Sequence, residues 1–91
     1  MSKIKLEIED FIFEVTEELV CYEDIGRQGA DKWAEGFRSW LSDGRKKKNI
    51  AASGGKTCYV IEDEGEIFDI ADKYLDAVEN GDIAEYWKNF Q

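Results

Sequence analysis

Residues 49–61 read NIAASGGKTCYVI, with Ser-Gly-Gly placed between two short runs. The second run, residues 57–61, consists mainly of β-branched and aromatic residues, which favour extended structure. Glycine at a tight turn adopts the positive φ angles that hairpin connections need. The segment therefore predicts a β-hairpin whose second strand is the central strand of an antiparallel sheet.

The N-terminal residues also show alternation. Residues 3–8 alternate charged and apolar side chains, and Phe11, Phe13 and Val15 would share one face of a second strand. This pattern predicts another β-hairpin, with a helix beginning at Asp10 as the alternative. A hydroxyl followed by two acids at residues 16–18 is typical of a helix start, which predicts a short helix over residues 19–25.

Three further segments have helical periodicity. Residues 30–42 place Ala30, Trp33, Ala34, Phe37, Trp40 and Leu41 on one stripe, and residues 67–79 do the same with Ile67, Phe68, Ala71, Tyr74, Leu75 and Val78. Asp82 is positioned to cap a short final helix over residues 83–90. We therefore expect one α+β domain over residues 1–91, an antiparallel sheet built from two β-hairpins, with two main helices on one face and a short C-terminal helix.

The composition excludes most enzyme templates. The chain has 91 residues and no histidine, so zinc sites built on histidine and nucleophiles activated by histidine are absent. Residues 53–57 resemble the end of a phosphate-binding loop, but Ile50 stands where the first glycine is required and a strand pattern follows. We expect no catalytic residue, no metal and no cofactor.

The sequence predicts neither a membrane span nor an export signal. Its longest apolar runs are four residues, far below the roughly 20 residues that span a bilayer. No apolar segment typical of a secretory signal occurs near the N-terminus. We therefore expect a cytoplasmic protein in which Cys21 and Cys58 are free thiols.

Charge divides the chain into three parts. Residues 1–26 carry a net charge of −6, residues 27–56 carry +5, and residues 57–91 carry −8. A protein with this balance repels nucleic acid and anionic membranes and is attracted to basic protein surfaces. We expect a basic protein partner, with no direct binding of nucleic acid or membrane and with a homodimer as a further option.

The candidate binding residues are acids of the C-terminal third. On the helix over residues 67–79, four acids fall on one face with no interleaved base, at about one carboxylate per 5 Å of axis, near the phosphate spacing of a nucleic-acid strand. A solvated helix face is the alternative interpretation. The predicted partner-binding residues are Glu62, Asp63, Glu64, Glu66, Asp69, Asp72, Asp76 and Glu79.

A secondary basic patch is formed by Arg45, Lys46, Lys47 and Lys48. Four consecutive cations are a pattern used to bind phosphate backbones. In an acidic protein such a run is more consistent with a solvated loop, or with pairing to acidic segments of the same chain or of a second copy, than with binding nucleic acid.

Part of the C-terminal sequence resembles a known family. Residues 59–61, residues 72–81 and Glu85-Tyr86 are similar to the end of a small type II anti-CRISPR protein. Members of that family are phage-encoded DNA mimics that block an RNA-guided nuclease by occupying its DNA-binding groove. The resemblance covers residues 59–86 and implies that acids within 62–79 contact the nuclease.

These observations predict a non-catalytic acidic inhibitor from a phage or mobile element. It would mimic nucleic acid and occupy a basic groove of a nucleic-acid-handling host protein, such as a CRISPR nuclease. The alternative is a small intracellular adaptor or homo-oligomeric interaction protein, in which the acidic ends and the basic patch pair with each other.

Overall fold

The computed structural model describes residues 3–22, 25–44 and 47–90, and within them three strands and four helices form an α+β fold. The elements follow one another as β1 (Ile4–Glu7), α1 (Ile8–Cys21), α2 (Gly26–Ser42), β2 (Ile50–Ser53), β3 (Lys56–Ile61), α3 (Gly65–Asn80) and α4 (Ile83–Lys88). The α+β class and the antiparallel sheet expected from the sequence are confirmed.

The sheet has the order β1-β3-β2, and both pairings are antiparallel. The predicted hairpin over residues 49–61 is present, with Ile50 opposite Tyr59 and Ser53 opposite Lys56. Gly54 and Gly55 make its turn at φ angles of 60° and 80°, which side chains with a Cβ rarely adopt. As predicted, β3 is the central strand.

The predicted N-terminal hairpin is wrong. Residues 11–15 belong to α1, and the alternative of a helix in this region is correct, although it begins at Ile8 instead of Asp10. The apolar side chains that α1 buries recur at helical spacing, which outweighs the short alternation that precedes them. The buried residues of α1 are Phe11, Ile12, Val15, Thr16 and Leu19.

The predicted helix start at residues 16–18 is also wrong. Thr16 lies in the middle of α1, where its hydroxyl donates a hydrogen bond to the Phe13 carbonyl at 3.0 Å instead of capping a helix. The helix ends at Cys21, and of the predicted helical residues 19–25, residues 23 and 24 lie outside the described residues.

The core is built around α1, which packs between α2 and α3 and against β1 and β3. Phe11 stacks on Tyr59 with ring centroids 4.0 Å apart, and Trp33 stacks on Phe37 at 5.3 Å. The predicted stripe of α2 is largely buried, because Ala30, Trp33, Phe37 and Trp40 are all in the core. The expectation that two main helices cover the sheet therefore needs correction, since α1 is a third long helix and lies between them.

The predicted buried stripe of α3 is correct only in part. Ile67, Ala71 and Tyr74 are buried, but Phe68 is 47% exposed and Val78 is 40% exposed. Because α3 packs on α1 along one side and on α4 along another, its buried surface is rotated away from these two residues.

The C-terminal helix α4 docks through its aromatic side chains. The Trp87 indole packs against the backbone of Gly36 in α2, where a Cβ would lie 2.6 Å from three indole atoms. The Trp33 indole donates a hydrogen bond to the Tyr86 hydroxyl at 3.0 Å, and that hydroxyl donates to the Ile70 carbonyl at 3.1 Å. Tyr86 thus joins α2, α3 and α4.

Candidate functional site

The net charge of the protein is confined to one segment. Residues 62–85 contain ten acids and one base, whereas the rest of the chain contains eleven acids and eleven bases. The local net charge of −9 therefore equals that of the whole protein. This segment covers the β3–α3 connection, α3 and the first half of α4.

The acids before α3 contribute to the start of that helix. The Glu62 carboxylate pairs with Lys3 at 3.3 Å, and the Glu62 backbone N–H donates to the Glu66 carboxylate at 3.0 Å. The carbonyls of Asp63 and Glu64 accept the backbone N–H groups of Glu66 and Ile67. Negative side chains near the N-terminus of a helix also interact favourably with its dipole. These predicted binding residues therefore have local structural roles as well as exposed carboxylates.

The four predicted acids on α3 are all exposed. Within the described residues none of them forms an ion pair. They do not form a single row, because Asp69 and Asp76 line a groove while Asp72 and Glu79 lie outside its lining. Lys73 also lines the groove, so one base lies on the same side of α3 as Asp69 and Asp76.

The groove runs between α3 and α4 and has a volume of about 590 Å³. Its floor is apolar and largely aromatic, formed by Tyr59, Ile70, Ala77, Tyr86 and Phe90. Its charged lining contains Glu66, Asp69, Lys73, Asp76, Asp82 and Glu85, and Asn80 and Asn89 complete it. A volume of this size lies within the range of about 300–1,000 Å³ that is usual for ligand pockets.

The two tyrosines of the floor are held neutral. Burial raises the pKa of Tyr59 to about 12, and burial also raises the pKa of Tyr86. The Tyr86 hydroxyl is committed to Trp33 and Ile70, so this residue offers the groove its ring and no free polar group. All the charge of the groove therefore comes from its carboxylates and Lys73.

Two acids of the groove, Asp82 and Glu85, are not among the predicted binding residues. Asp82 was identified only as a helix cap, and Glu85 was quoted only within the family resemblance. The acid density of the sequence continues unbroken to Glu85 and could have indicated both residues. Their position beside Asp76 depends on the turn at Asn80-Gly81, where Gly81 adopts a left-handed conformation at φ 72° and the chain reverses into α4.

The predicted basic patch is described only in part, because Arg45 and Lys46 lie outside the described residues. Lys47 has intramolecular partners. Its ammonium pairs with the Asp43 carboxylate at 2.9 Å and lies 5.2 Å from the centroid of the Trp40 ring. The Lys48 side chain is exposed.

Two further ion pairs join separate elements. Arg38 donates to both carboxylate oxygens of Glu9, at 2.7 and 2.9 Å, and this interaction lowers the pKa of Glu9. Lys56 pairs with Glu7 across the sheet at 2.8 Å, and the hydrogen bond raises the pKa of Lys56. These pairs lie outside residues 62–85.

Over residues 3–22, 25–44 and 47–90, no cluster of three carboxylate or thiol groups is arranged to hold a metal ion. No helix in the same ranges is long and apolar enough to cross a membrane. Cys21 and Cys58 are free thiols. Comparison of the chain with family models, curated proteins and solved structures found no match.

Proposed function

We propose that this protein is a non-catalytic acidic binding protein that occupies a basic groove of a nucleic-acid-handling host protein in place of nucleic acid. The observation that carries the proposal is the confinement of the net charge of −9 to residues 62–85. An RNA-guided nuclease is the first target to test, because residues 59–86 resemble the end of small type II anti-CRISPR proteins.

The exposed acids of α3 support this proposal physically. Their carboxylates are not neutralised by internal ion pairs among the described residues, so their field extends into solvent. Along the axis, Asp69, Asp72, Asp76 and Glu79 follow one another at about 5 Å, compared with about 3.4 Å for phosphates along one strand of B-DNA. A groove that binds a phosphate backbone through lysine and arginine would meet a similar density of negative charge.

The test is competition for DNA on a guide-loaded type II nuclease. A fluorescent target duplex is bound to the nuclease, and its displacement by the protein is followed by anisotropy. We expect displacement that weakens as salt is raised, because long-range attraction between exposed charges is screened.

Two variants with equal charge change make the test specific. Reversing Asp69, Asp72, Asp76 and Glu79 to Lys should abolish displacement. Reversing Glu14, Glu17, Asp31 and Glu35 to Lys makes the same charge change on exposed positions of α1 and α2, and it should retain most of the displacement. Circular dichroism confirms that both variants are folded.

Equal loss in both variants would mean that net charge alone matters. A wild-type protein that displaces no DNA from nucleases of this type, or from other purified DNA-binding and RNA-binding proteins, would contradict the proposal.

A further inference from the structure

We propose that the groove between α3 and α4 receives an arginine side chain from an extended basic segment of the partner protein. This inference rests on the proposed function, because it specifies the chemistry of the partner that the acidic segment binds. It differs from a flat electrostatic contact, since it requires the floor of the groove as well as its charge.

The floor favours a cation that can also make apolar contacts. Tyr86 and Phe90 lie with ring centroids 5.7 Å apart at one side of the groove, and Ile70 and Ala77 supply aliphatic surface. Because the Tyr86 hydroxyl is already used by Trp33 and Ile70, the ring can offer only its π surface and edge. Aromatic faces attract cations, and the attraction is stronger where water is displaced.

The charged lining selects positive ligands. Five carboxylates and one ammonium give the groove a net charge of −4. An apolar anion would be repelled, and a neutral apolar side chain would leave carboxylates beside it partly desolvated. The ligand that fits both the floor and the lining therefore combines positive charge with apolar surface.

Arginine meets these requirements better than lysine does. Its planar guanidinium is weakly hydrated, stacks on aromatic rings and can donate two parallel hydrogen bonds to one carboxylate. A lysine ammonium is strongly hydrated and acts as a compact point charge. Lys73 already places one ammonium on the groove lining.

The length of the groove points to an extended segment. Glu66 and Asp76 are ten residues apart on α3, about 15 Å along the helix axis. An extended chain advances about 3.3 Å per residue, so four or five residues span this distance. A short segment carrying one or two arginines would match the groove without requiring a folded partner surface.

The test uses a blocked seven-residue peptide, Ser-Gly-Arg-Gly-Arg-Gly-Ser, titrated into ¹⁵N-labelled full-length protein. Matched peptides replace both arginines with lysine or with citrulline, which keeps the shape of arginine and removes its charge. We expect the arginine peptide to bind about tenfold more tightly than the citrulline peptide, which corresponds to about 1.4 kcal/mol. It should also bind more tightly than the lysine peptide, and the side-chain amides of Asn80 and Asn89 should shift.

Two neutralised variants locate the binding. Asp76→Asn with Glu85→Gln removes two groove carboxylates and should weaken binding of the arginine peptide at least about fivefold, as loss of charge-assisted hydrogen bonds would. Asp72→Asn with Glu79→Gln makes the same charge change on α3 outside the groove lining and should leave binding nearly unchanged. Equal weakening in both variants would overturn the groove as the site.

A third variant tests the floor without altering charge. Ala77→Leu adds bulk to the groove floor and should weaken the arginine peptide more than the lysine peptide, because the stacked guanidinium depends more on the floor. Circular dichroism and thermal unfolding establish whether this variant is folded. If it is not, the two neutralised variants still decide the question.

Failure of this inference is distinguishable from failure of the proposed function. If no peptide binds while the protein still displaces DNA from its target through the α3 acids, the groove inference is wrong and the proposed function stands. If the arginine peptide binds as expected but no DNA is displaced, the groove remains an arginine site and the nucleic-acid-competition proposal is wrong.

Discussion

In α1, α2 and the sheet, charged side chains pair across elements, whereas the acids of α3 face solvent without such partners among the described residues. Arg38 pairs with Glu9 and Lys56 pairs with Glu7, and the chain outside residues 62–85 has eleven acids and eleven bases. Residues 62–85 carry ten acids and one base. A charge distribution that served only solubility would not need this separation, and for this reason we propose residues 62–85 as the region that binds a partner.

The largest expected effect tests whether stability depends on the aromatic core and not on the acidic face. Trp33 is fully buried and stacks on Phe37, so Trp33→Ala should lower the free energy of unfolding by about 3–5 kcal/mol. Asp72→Ala on the exposed face of α3 should change that free energy by no more than about 1 kcal/mol, in the stabilising direction, because it removes two like-charge pairs. Urea unfolding measures both. Similar losses would show that the acidic face is part of the folding core.

A second prediction concerns the close approach of α2 to α4, which supports one wall of the groove. Gly36→Ala would place a Cβ 2.6 Å from the Trp87 indole and should cost about 1–3 kcal/mol, with faster amide exchange in α4. In a Trp87→Leu background the same change should be neutral or stabilising, because alanine has the higher helix propensity. A loss of equal size in both backgrounds would contradict the contact.

The effect of salt on stability should also differ between the acidic segment and the rest of the chain. Asp72→Asn with Glu79→Gln removes three like-charge pairs at i,i+3 and i,i+4 spacing and retains Asp69 and Asp76 beside Lys73. At low ionic strength we expect stabilisation of about 0.2–0.5 kcal/mol per pair removed. The gain should shrink at high salt, where repulsion is screened.

Its control is Asp31→Asn with Glu35→Gln, which makes the same charge change on α2 in the balanced part of the chain. This variant should show no such gain in thermal or urea unfolding. If the two variants respond alike to salt, the acids of α3 do not repel one another more than those elsewhere.

The smallest expected effect is a change in the pKa of Glu9 when its partner Arg38 is replaced. The Arg38 guanidinium lowers this pKa below the ordinary value of 4.5, so the stability contributed by the pair is present above that value and is lost as pH falls through the lowered pKa. Arg38→Gln should raise the Glu9 pKa toward 4.5, as measured by NMR titration of the carboxyl carbon. Arg27→Gln, an exposed change elsewhere on α2, should leave it unaltered.

The parts of the fold that sequence analysis predicted correctly depend on local patterns. The apolar spacing of α2 and the Ser-Gly-Gly turn between β2 and β3 each involve residues close together in the chain, so their hydrogen bonding follows from the nearby sequence. The N-terminal segment was misread because β1 contributes only four residues of alternation and α1 follows without a break. The partner of β1 is β3, with Ile4 opposite Ile61, and no turn signal indicates a pairing over such a distance.

For the candidate site, as for the fold, only the local features could be predicted from the sequence. Asp69 and Asp76 were identified from their helical spacing, which is a local property. Their separation from Asp72 and Glu79 depends on where α4 docks, and that docking rests on the fit of Trp87 against Gly36 and the hydrogen bonds of Tyr86. These contacts join residues 16 to 53 positions apart in the chain.

The sequence by itself determined the chemistry that this protein can present: a net charge of −9 concentrated near the C-terminus, no imidazole, and amphipathic segments able to form a small core. These properties belong to single residues or to neighbours in the chain. Only the tertiary structure decided that α1 is a helix between α2 and α3, that β1 joins β3, and which acids surround an aromatic groove. The physical reason is that burial and non-local hydrogen bonding are shared among segments, so each segment's position depends on which others compete for the same apolar surface.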